Sequence, residues 1–435
     1  MVFSIQFVTH NFDFEWRGYS YGIQGDVNHF DASQSLDYAG VDIYHPSRKN
    51  LIGAEIAFAG DTMRGLKDDN YLVLETQALA FKQQVPYPGQ LRLQAYSHIA
   101  SGANMIEYWH WHSIHNSAET YWKGILSHDF QPNPVYHEVG QTGQELEQLS
   151  KQIVNLKSQA NVAFLVSNQS LSAMNSFPFS NNKNYNDIFR ALYDQFYRLN
   201  VRTDIKDESH IRLENYKLIV VPVLYSVSDD FLEALNRYVK NGGHVIYTFK
   251  SGFTNEHVKV RTAVQPGIIS EAVGAHYEMF VSPDGCQLVP QDTTIDENLD
   301  LTLSDWMELL VSDTATVLAK YDDPNWHDYA AITLNQFGKE SVMYIGCFPS
   351  QAVLKQLVCQ QVTDLGLVQF EDEFPIIIKT SQNQMGQKIV FCLNYSDQNQ
   401  HTKDRFKGIN LLQNQAIDGN IELAPWGVAV IELVD

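Results

Sequence analysis

The sequence predicts an α/β chain in three units: half of a (β/α)8 TIM-type barrel, a doubly wound α/β domain and a small antiparallel β-sandwich. Three observations carry this. Residues 1–157 alternate short apolar strands with longer helical stretches, with polar residues just past the strand ends. From residue 158 to 368, nearly all-apolar strands alternate with amphipathic helices, as in a parallel sheet covered on both faces. Over 369–435 the pattern changes to period 2, that of strands with one face inward.

In the first unit, strands are expected at residues 3–9, 39–44 (ending in His45-Pro46), 71–74 and 104–111. Asn133-Pro134 is a helix-start signal, and a helix over 138–155 places Val139, Leu146, Leu149 and Ile153 on one face. A closed barrel takes about 250 residues, so four βα units in about 150 make half of one. In the second unit, residues 162–166 read as a strand. A helix over 187–199 turns Ile188, Phe189, Leu192, Phe196 and Leu199 inward, and 218–223 is an apolar strand. Ser228 caps a helix with Asp229 and Asp230 in its first turn, Gly242-Gly243 ends it, and 244–249 follows as a strand. In the third unit, strands fall at 376–379, 388–394, 421–423 and 428–434, with a turn at Gln384-Met385-Gly386-Gln387.

Composition narrows the function. Thirty Lys and Arg against 51 Asp and Glu give a net charge of −21, which repels phosphate. Nucleic acid and acidic membrane surfaces are therefore not expected partners. The longest apolar runs, 218–224 and 375–378, are strand-sized, so no transmembrane helix is expected. Residues 1–12 lack the basic and apolar stretches of a signal peptide. Cys286, Cys347, Cys359 and Cys392 lie far apart with no CxxC pair, which fits isolated thiols in a reducing cytoplasm.

The sharpest candidate for chemistry is Glu75, at the end of an apolar strand where a parallel barrel builds its active site. Tyr44 brings a phenol to the same mouth, Trp111 a flat ring, and Glu119 a second carboxylate from the next loop. Rings that stack on the C–H face of a pyranose and carboxylates that bind its hydroxyls make a sugar site. Competing signals are weaker. His110, His112 and His115 form an HxHxxH run, but no further ligand stands at a convincing spacing, and a polar barrel-mouth strand explains it. His137-Glu138 fails the HExxH pattern because Gln141 takes the fifth place. The middle domain has no GxGxxG loop, and its turn Phe249-Lys-Ser-Gly252 lacks an amidotransferase cysteine. Tyr193, Phe196 and Tyr197 at helical spacing read as core or interface, and an oligomerisation role is the plain reading of that domain.

Over these same residues the chain resembles the C-terminal two thirds of a family 42 glycoside hydrolase, a bacterial β-galactosidase. The matching stretches are Thr9-His-Asn11, Val41-Asp-Ile-Tyr-His-Pro46, Leu74-Glu-Thr-Gln77 and Pro88-Gly-Gln-Leu-Arg-Leu93. They continue with Ala100-Ser-Gly-Ala-Asn104, Tyr108-Trp-His-Trp111, Ala118-Glu-Thr-Tyr-Trp-Lys-Gly124 and Ser127-His128, in family order and spacing. The resemblance implies barrel strands five to eight over 1–157, a flavodoxin-like trimerisation domain over 158–368 and a β-sandwich over 369–435.

It also implies roles. Glu75 falls on the catalytic nucleophile, Tyr44 on the tyrosine ending strand six, Trp111 on the tryptophan ending strand eight, and Glu119 on an acceptor for galactose hydroxyls. Asn11, His112 and Trp122 fall on subsite walls. Departures at His112, Trp122 and about Gln83 bear on the preferred linkage or leaving group. The family's acid/base Glu follows an Asn at the end of strand four, and no Asn-Glu pair precedes Glu75. Glu15 and Asp42 are the nearest substitutes, but neither matches the family position. The expectation is a retaining β-galactosidase without cofactor or metal, a homotrimer, and incomplete in this chain. The alternatives are a non-catalytic fragment or half of a split enzyme that pairs with a polypeptide carrying the missing half barrel, and a related α-L-arabinosidase.

Overall fold

The computed structural model describes residues 6–79, 84–116 and 118–434. In the first unit β1 (Asn11–Phe12) leads through a ribbon, β2 (Glu15–Trp16) and β3 (Ser20–Gly22), and helix α1 (His29–Ser33) to β4 (Gly40–Asp42). Helix α2 (Ala54–Lys67) leads to β5 (Tyr71–Gln77), α3 (Gln90–Ala100) to β6 (Ala103–Trp109), and α4 (Pro134–Ile153) follows. The strands pair in the order β1-β4-β5-β6, all parallel, with helices on the outside: half a barrel.

Local bonds explain where these elements depart from expectation. Of the strand expected at 3–9, residues 1–5 lie outside the described residues and 6–9 form no strand. The Val8 N–H donates to Asp37 Oδ2 at 2.7 Å and its carbonyl accepts from the Asp37 and Tyr38 N–H groups, so the ladder starts only at Asn11. β5 runs past Leu74 because Thr76 and Gln77 still face Tyr108 and Trp109. β6 stops at Trp109 because the His110 and Trp111 carbonyls accept from Ile125 and Leu126 instead. Helix α4 starts at Pro134, earlier than the expected 138, since the Asn133 side chain caps the N–H groups of Val135 and Tyr136.

The second unit runs β7 (Val162–Val166), α5 (Asn168–Ser176), α6 (Tyr185–Arg198), β8 (Thr203–Asp207), β9 (Leu218–Val221), α7 (Asp229–Lys240) and β10 (His244–Thr248). It continues with α8 (Ser270–Val273), β11 (Ala275–Val281), β12 (Leu288–Pro290), β13 (Leu303–Ser312), β14 (Thr316–Tyr321), β15 (Ala330–Phe337), β16 (Glu340–Ile345), β17 (Cys347–Pro349) and α9 (Gln351–Asp364). The parallel order β16-β10-β9-β7-β8 is the doubly wound sheet expected. Ser228 caps α7 as read, its side chain accepting from the Phe231 N–H. The antiparallel strands β11 to β15 and β17, which extend this into an 11-stranded sheet, were not anticipated. Bulges between Tyr277 and Phe280 and between Ser304 and Met307 break the alternation that would have marked them.

The third unit contains β18 (Ile376–Gln382), β19 (Lys388–Asn394), β20 (Gln400–His401), β21 (Phe406–Asn410), β22 (Gln415–Gly419), β23 (Glu422–Leu423) and β24 (Val428–Leu433). Five strands form an antiparallel sheet, β18-β19-β24-β21-β22, and β20 with β23 a ribbon. Alternation divides its faces. Ile376, Ile378, Val390 and Ile431 meet Phe406, Ile421 and Leu423, while Ile377, Phe391 and Val430 join the core shared with the half barrel. The second layer of the sandwich is thus reduced to the ribbon and its loops, and the opposite face of the sheet belongs to the barrel core.

The half barrel is seated on the other units by α2. Phe58 packs on Phe189 and Tyr193 of α6, with ring centres 5.7 and 5.2 Å apart, and Tyr193, Phe196 and Tyr197 are all buried. Buried Arg190 ties α6 to Glu55 of α2 at 3.3 Å and pairs with Asp194 of its own helix at 2.9 Å. At Gly65 a side chain is excluded, since a Cβ there would lie 1.9 Å from the Ile205 carbonyl oxygen of β8. Gly65→Ala should therefore force α2 off β8 and cost about 3 kcal/mol. Gly140→Ala, on an open face of α4, should be neutral or stabilise by about 0.5 kcal/mol. Denaturant unfolding of the two variants tests both values.

Candidate active site

The C-terminal ends of the four parallel strands open on a cleft of about 240 Å³. Its wall carries four carboxylates, Asp13, Asp42, Glu75 and Glu119, and four rings, Trp16, Tyr44, Trp109 and Trp122. Asp42 and Glu75 are register partners on β4 and β5, and the Ile43 N–H donates to the Glu75 carbonyl at 2.8 Å. Parallel neighbours about 4.8 Å apart carry such side chains to the same face. Tyr44 follows Asp42 by two residues, the strand period, and lines the same cleft.

The Tyr44 hydroxyl donates to Glu75 Oε2 at 2.9 Å. Burial, then the Glu75 charge, pushes this hydroxyl far above the usual tyrosine range, so it remains a donor. Asp42 Oδ2 accepts from Asn11 Nδ2 at 3.0 Å, while buried Oδ1 has no hydrogen-bond partner among the described residues. Burial raises the Asp42 carboxyl to about 7. The Asn11 bond opposes that rise, and the charges of Glu75 and Asp13 add to it. Asp42 thus stays a neutral acid at mildly acidic pH. Trp16 and Trp122 approach Tyr44 at 5.9 and 6.1 Å. Among the described residues its lining holds no Lys or Arg, so the cleft suits a neutral polyhydroxylated ligand better than an anion.

Of the residues expected at the site, Glu75, Tyr44, Glu119 and Trp122 come together in this cleft. Trp111 does not line it. The strand ends two residues earlier, Trp109 takes the wall position, and Trp111 is 60% exposed with its ring against Tyr136. Asn11 reaches the cleft only through Asp42. His112 stands outside the lining, its Nδ1 on the Ser113 carbonyl at 2.8 Å and its ring against Phe130. Residue Gln83 lies outside the described residues. Glu15 is a strut rather than a site residue, paired with Arg17 and accepting from Asn184 and Asn186 of the second unit. Of the other histidines of the 110–115 run, His115 stacks on Phe130 at 4.5 Å, and His110 leaves its buried Nε2 without a hydrogen-bond partner among the described residues. Asp13, Trp16 and Trp109 went unread. The first two lie past β1, four and seven residues beyond the strand expected there.

Two family models match the chain. One described as "Beta-galactosidase" covers residues 3–149, and one described as "Beta-galactosidase trimerisation domain" covers 160–368. The β-galactosidase BgaA of Clostridium cellulovorans is 26% identical over 420 residues, 94% of this chain and 62% of its own length. The β-galactosidase bgaB of Geobacillus kaustophilus is 30% identical over 341 residues, 77% of this chain and 50% of its own length. The chain thus spans between half and two thirds of these relatives. A solved β-galactosidase from Bacillus circulans sp. alkalophilus superposes with a TM-score of 0.88 at 23% identity, over 98% of this chain and 63% of that one. A catalytic mutant of the β-galactosidase Gan42B from G. stearothermophilus gives 0.87 at 22%, over 98% and 64%. At such identities the structures establish the fold. With its motifs in order and two family models matched over 3–149 and 160–368, the chain belongs to glycoside hydrolase family 42, the β-galactosidase family.

Proposed function

We propose that this chain is the nucleophile-bearing part of a retaining β-galactosidase acting on terminal β-D-galactosides by double displacement. The observation that carries the reading is Glu75 at the C-terminal end of β5, held by Tyr44 at 2.9 Å in an acidic, ring-lined cleft. Glu75 attacks the anomeric carbon, the aglycone oxygen leaves, and the galactosyl ester formed is later opened by water. Tyr44 orients the attacking oxygen. Glu119 accepts sugar hydroxyls, and Trp109 and Trp122 wall the sugar, with Trp109 in the place expected of Trp111. No cofactor enters this chemistry.

The general acid/base is proposed to come from a polypeptide carrying the other half of the barrel. Two facts support this: the outer edges of β1 and β6 have no strand partner among the described residues, and the chain spans only half to two thirds of its relatives. A second reading is favoured by Asp42, whose carboxyl is raised to about 7 beside Glu75 and could itself deliver the proton. Copies are proposed to assemble as a homotrimer through residues 158–368, in line with the description of the model matched there, between a barrel unit at 1–157 and a β-sandwich at 369–435. Four unpaired cysteines suit the reducing cytoplasm, and among the described residues no helix is long and apolar enough to cross a membrane.

The test is hydrolysis of 2,4-dinitrophenyl β-D-galactopyranoside with and without azide. Dinitrophenolate leaves without a proton, so Glu75 can be galactosylated without an acid, and azide then opens the ester without a base. Azide should speed turnover by about 10²-fold, the scale of a missing general base, and yield β-galactosyl azide. If Asp42 is the acid/base, azide does nothing to the native chain and accelerates only Asp42→Asn. An α-configured azide, or no release at all, would sink the reading. Running the α-L-arabinopyranoside beside it distinguishes the related arabinosidase.

A further inference from the structure

Lys250, in the second unit and apart from the cleft, is an amine with an unusual setting. It lies two residues past β10, at the carboxyl edge of the doubly wound sheet, with φ +62. That left-handed backbone, uncommon for a residue with a side chain, is held by its own N–H, which donates to Glu308 Oε1 at 2.7 Å. The side chain runs inward, leaving the residue 8% exposed.

Rings rather than oxygens surround the amine. Nζ stands 3.6 Å from the centre of the Trp306 ring, 5.5 Å from those of Phe253 and Phe280, and 5.7 Å from that of Tyr225. The rings brace one another: Tyr225 stacks on Phe253 at 5.6 Å, and Phe280 on Trp306 at 4.6 Å. Among the described residues, Nζ makes no hydrogen bond and lies within ion-pair distance of no carboxylate. The nearest counter-charge, Glu308, is fully buried and spends its oxygens on the Lys250 N–H, the Tyr344 hydroxyl and the Trp306 indole. The ring faces attract an ammonium but supply none of the three acceptors it has in water. Burial here therefore favours the neutral amine, with its lone pair, more than solvent does. Access is from the rim, where Phe280 is 43% exposed and Tyr225 and Phe253 are half-buried.

We propose that Lys250 is a reactive amine site that condenses with small uncharged aldehydes. The Nζ lone pair adds to the carbonyl carbon, and the proton released from nitrogen passes to the new alkoxide, giving a carbinolamine. That hydroxyl then leaves as water with a proton, the second N–H bond supplies the C=N pair, and an imine remains. No oxidant is consumed, and the apolar rim selects against charged carbonyl compounds. The other titratable groups around the amine do not compete for its proton. Burial pushes the phenols of Tyr225, Tyr277 and Tyr344 up, so they stay neutral, and it raises Glu308 to about 6. Burial likewise lowers Lys250 to about 8, against the pull of Glu308.

The experiment is reductive methylation of the whole chain with ¹³C-formaldehyde and cyanoborohydride, followed by peptide mapping. At pH 7.5 an amine of pKa about 8 has roughly a hundredfold more neutral form than an ordinary lysine near 10.4. Lys250 should be labelled at least about tenfold faster than the lysines other than Lys379, whose own amine burial lowers to about 7, with a rate midpoint near pH 8 at Lys250. Trp306 fluorescence should titrate with the same midpoint, and both signals should vanish in Lys250→Arg, which keeps the charge in the cage. Labelling of surface lysines with Lys250 untouched, or a Lys250 midpoint near 10, would overturn the proposal.

Discussion

Replacing Glu75 by Gln should lower covalent trapping by 2,4-dinitrophenyl 2-deoxy-2-fluoro-β-D-galactoside roughly 10⁵-fold or more, the scale lost when a nucleophile is removed. The fluorine slows both displacement steps and the dinitrophenolate restores only the first, so the galactosyl ester accumulates without help from an acid. The readout therefore isolates Glu75 from the question of where the acid/base resides. Gln keeps the size of Glu75, and its amide oxygen can still accept from the Tyr44 hydroxyl, which lies 2.9 Å from Glu75 Oε2 in the native chain. What disappears is the carboxylate oxygen that, on the proposed reading, forms the ester. Peptide mapping of the native adduct should place the sugar on Glu75. A sugar on Asp42 or Asp13, with trapping intact in Glu75→Gln, would remove the assignment.

Tyr44→Phe serves as the graded comparison. A hydrogen bond to a charged group is worth about 1.5–3 kcal/mol, so its loss should slow trapping by roughly 10- to 100-fold. The order Glu75→Gln far below Tyr44→Phe follows from the geometry, because the hydroxyl only steadies an oxygen that the carboxylate must supply.

Much of this site could be read from the sequence, and the parts that could not have identifiable causes. Glu75 and Tyr44 were legible because apolar runs of strand length end beside them, and a parallel strand delivers the residue at its end to the mouth. Trp109 and Trp111 share the same strand parity, so alternation cannot choose between them. The choice is made by the His110 and Trp111 carbonyls, which bond Ile125 and Leu126 and turn the chain away. Asp13 and Trp16 were hidden for a related reason: the apolar run around Phe7 and Val8 looks like a strand, while the ladder begins only at Asn11. The antiparallel wing of the second unit escaped because bulges interrupt its period. Pairing across distant residues fixes all three features, and no local pattern records it.

The largest gain should come from supplying the rest of the barrel. Adding a polypeptide with four parallel βα units, its fourth strand ending in Asn-Glu, should give a complex. Hydrolysis of galactosides with poor leaving groups should rise by about 10²–10⁴-fold, the contribution of a placed general acid. The reasoning starts at the two edges. Among the described residues β1 pairs only with β4 and β6 only with β5, so each offers a row of backbone donors and acceptors to a further strand. Both edges belong to one parallel sheet, so a single insert of four parallel strands can satisfy them together and close the ring. Phe7, Val8 and Trp109 stand 57%, 54% and 39% exposed by these edges, apolar surface that closure would cover. Closure would also face Glu75 with groups from across the barrel. The decisive control changes one atom type: the same polypeptide with Gln for its strand-end Glu should bind equally well, as read by sedimentation, and restore nothing. If two copies of the chain instead close on each other, sedimentation will show a dimer that the added polypeptide does not displace, and the split-barrel reading fails. If the complex forms but the Gln version is as active, the acid lies on this chain, and Asp42 is the residue to which the proton must be traced.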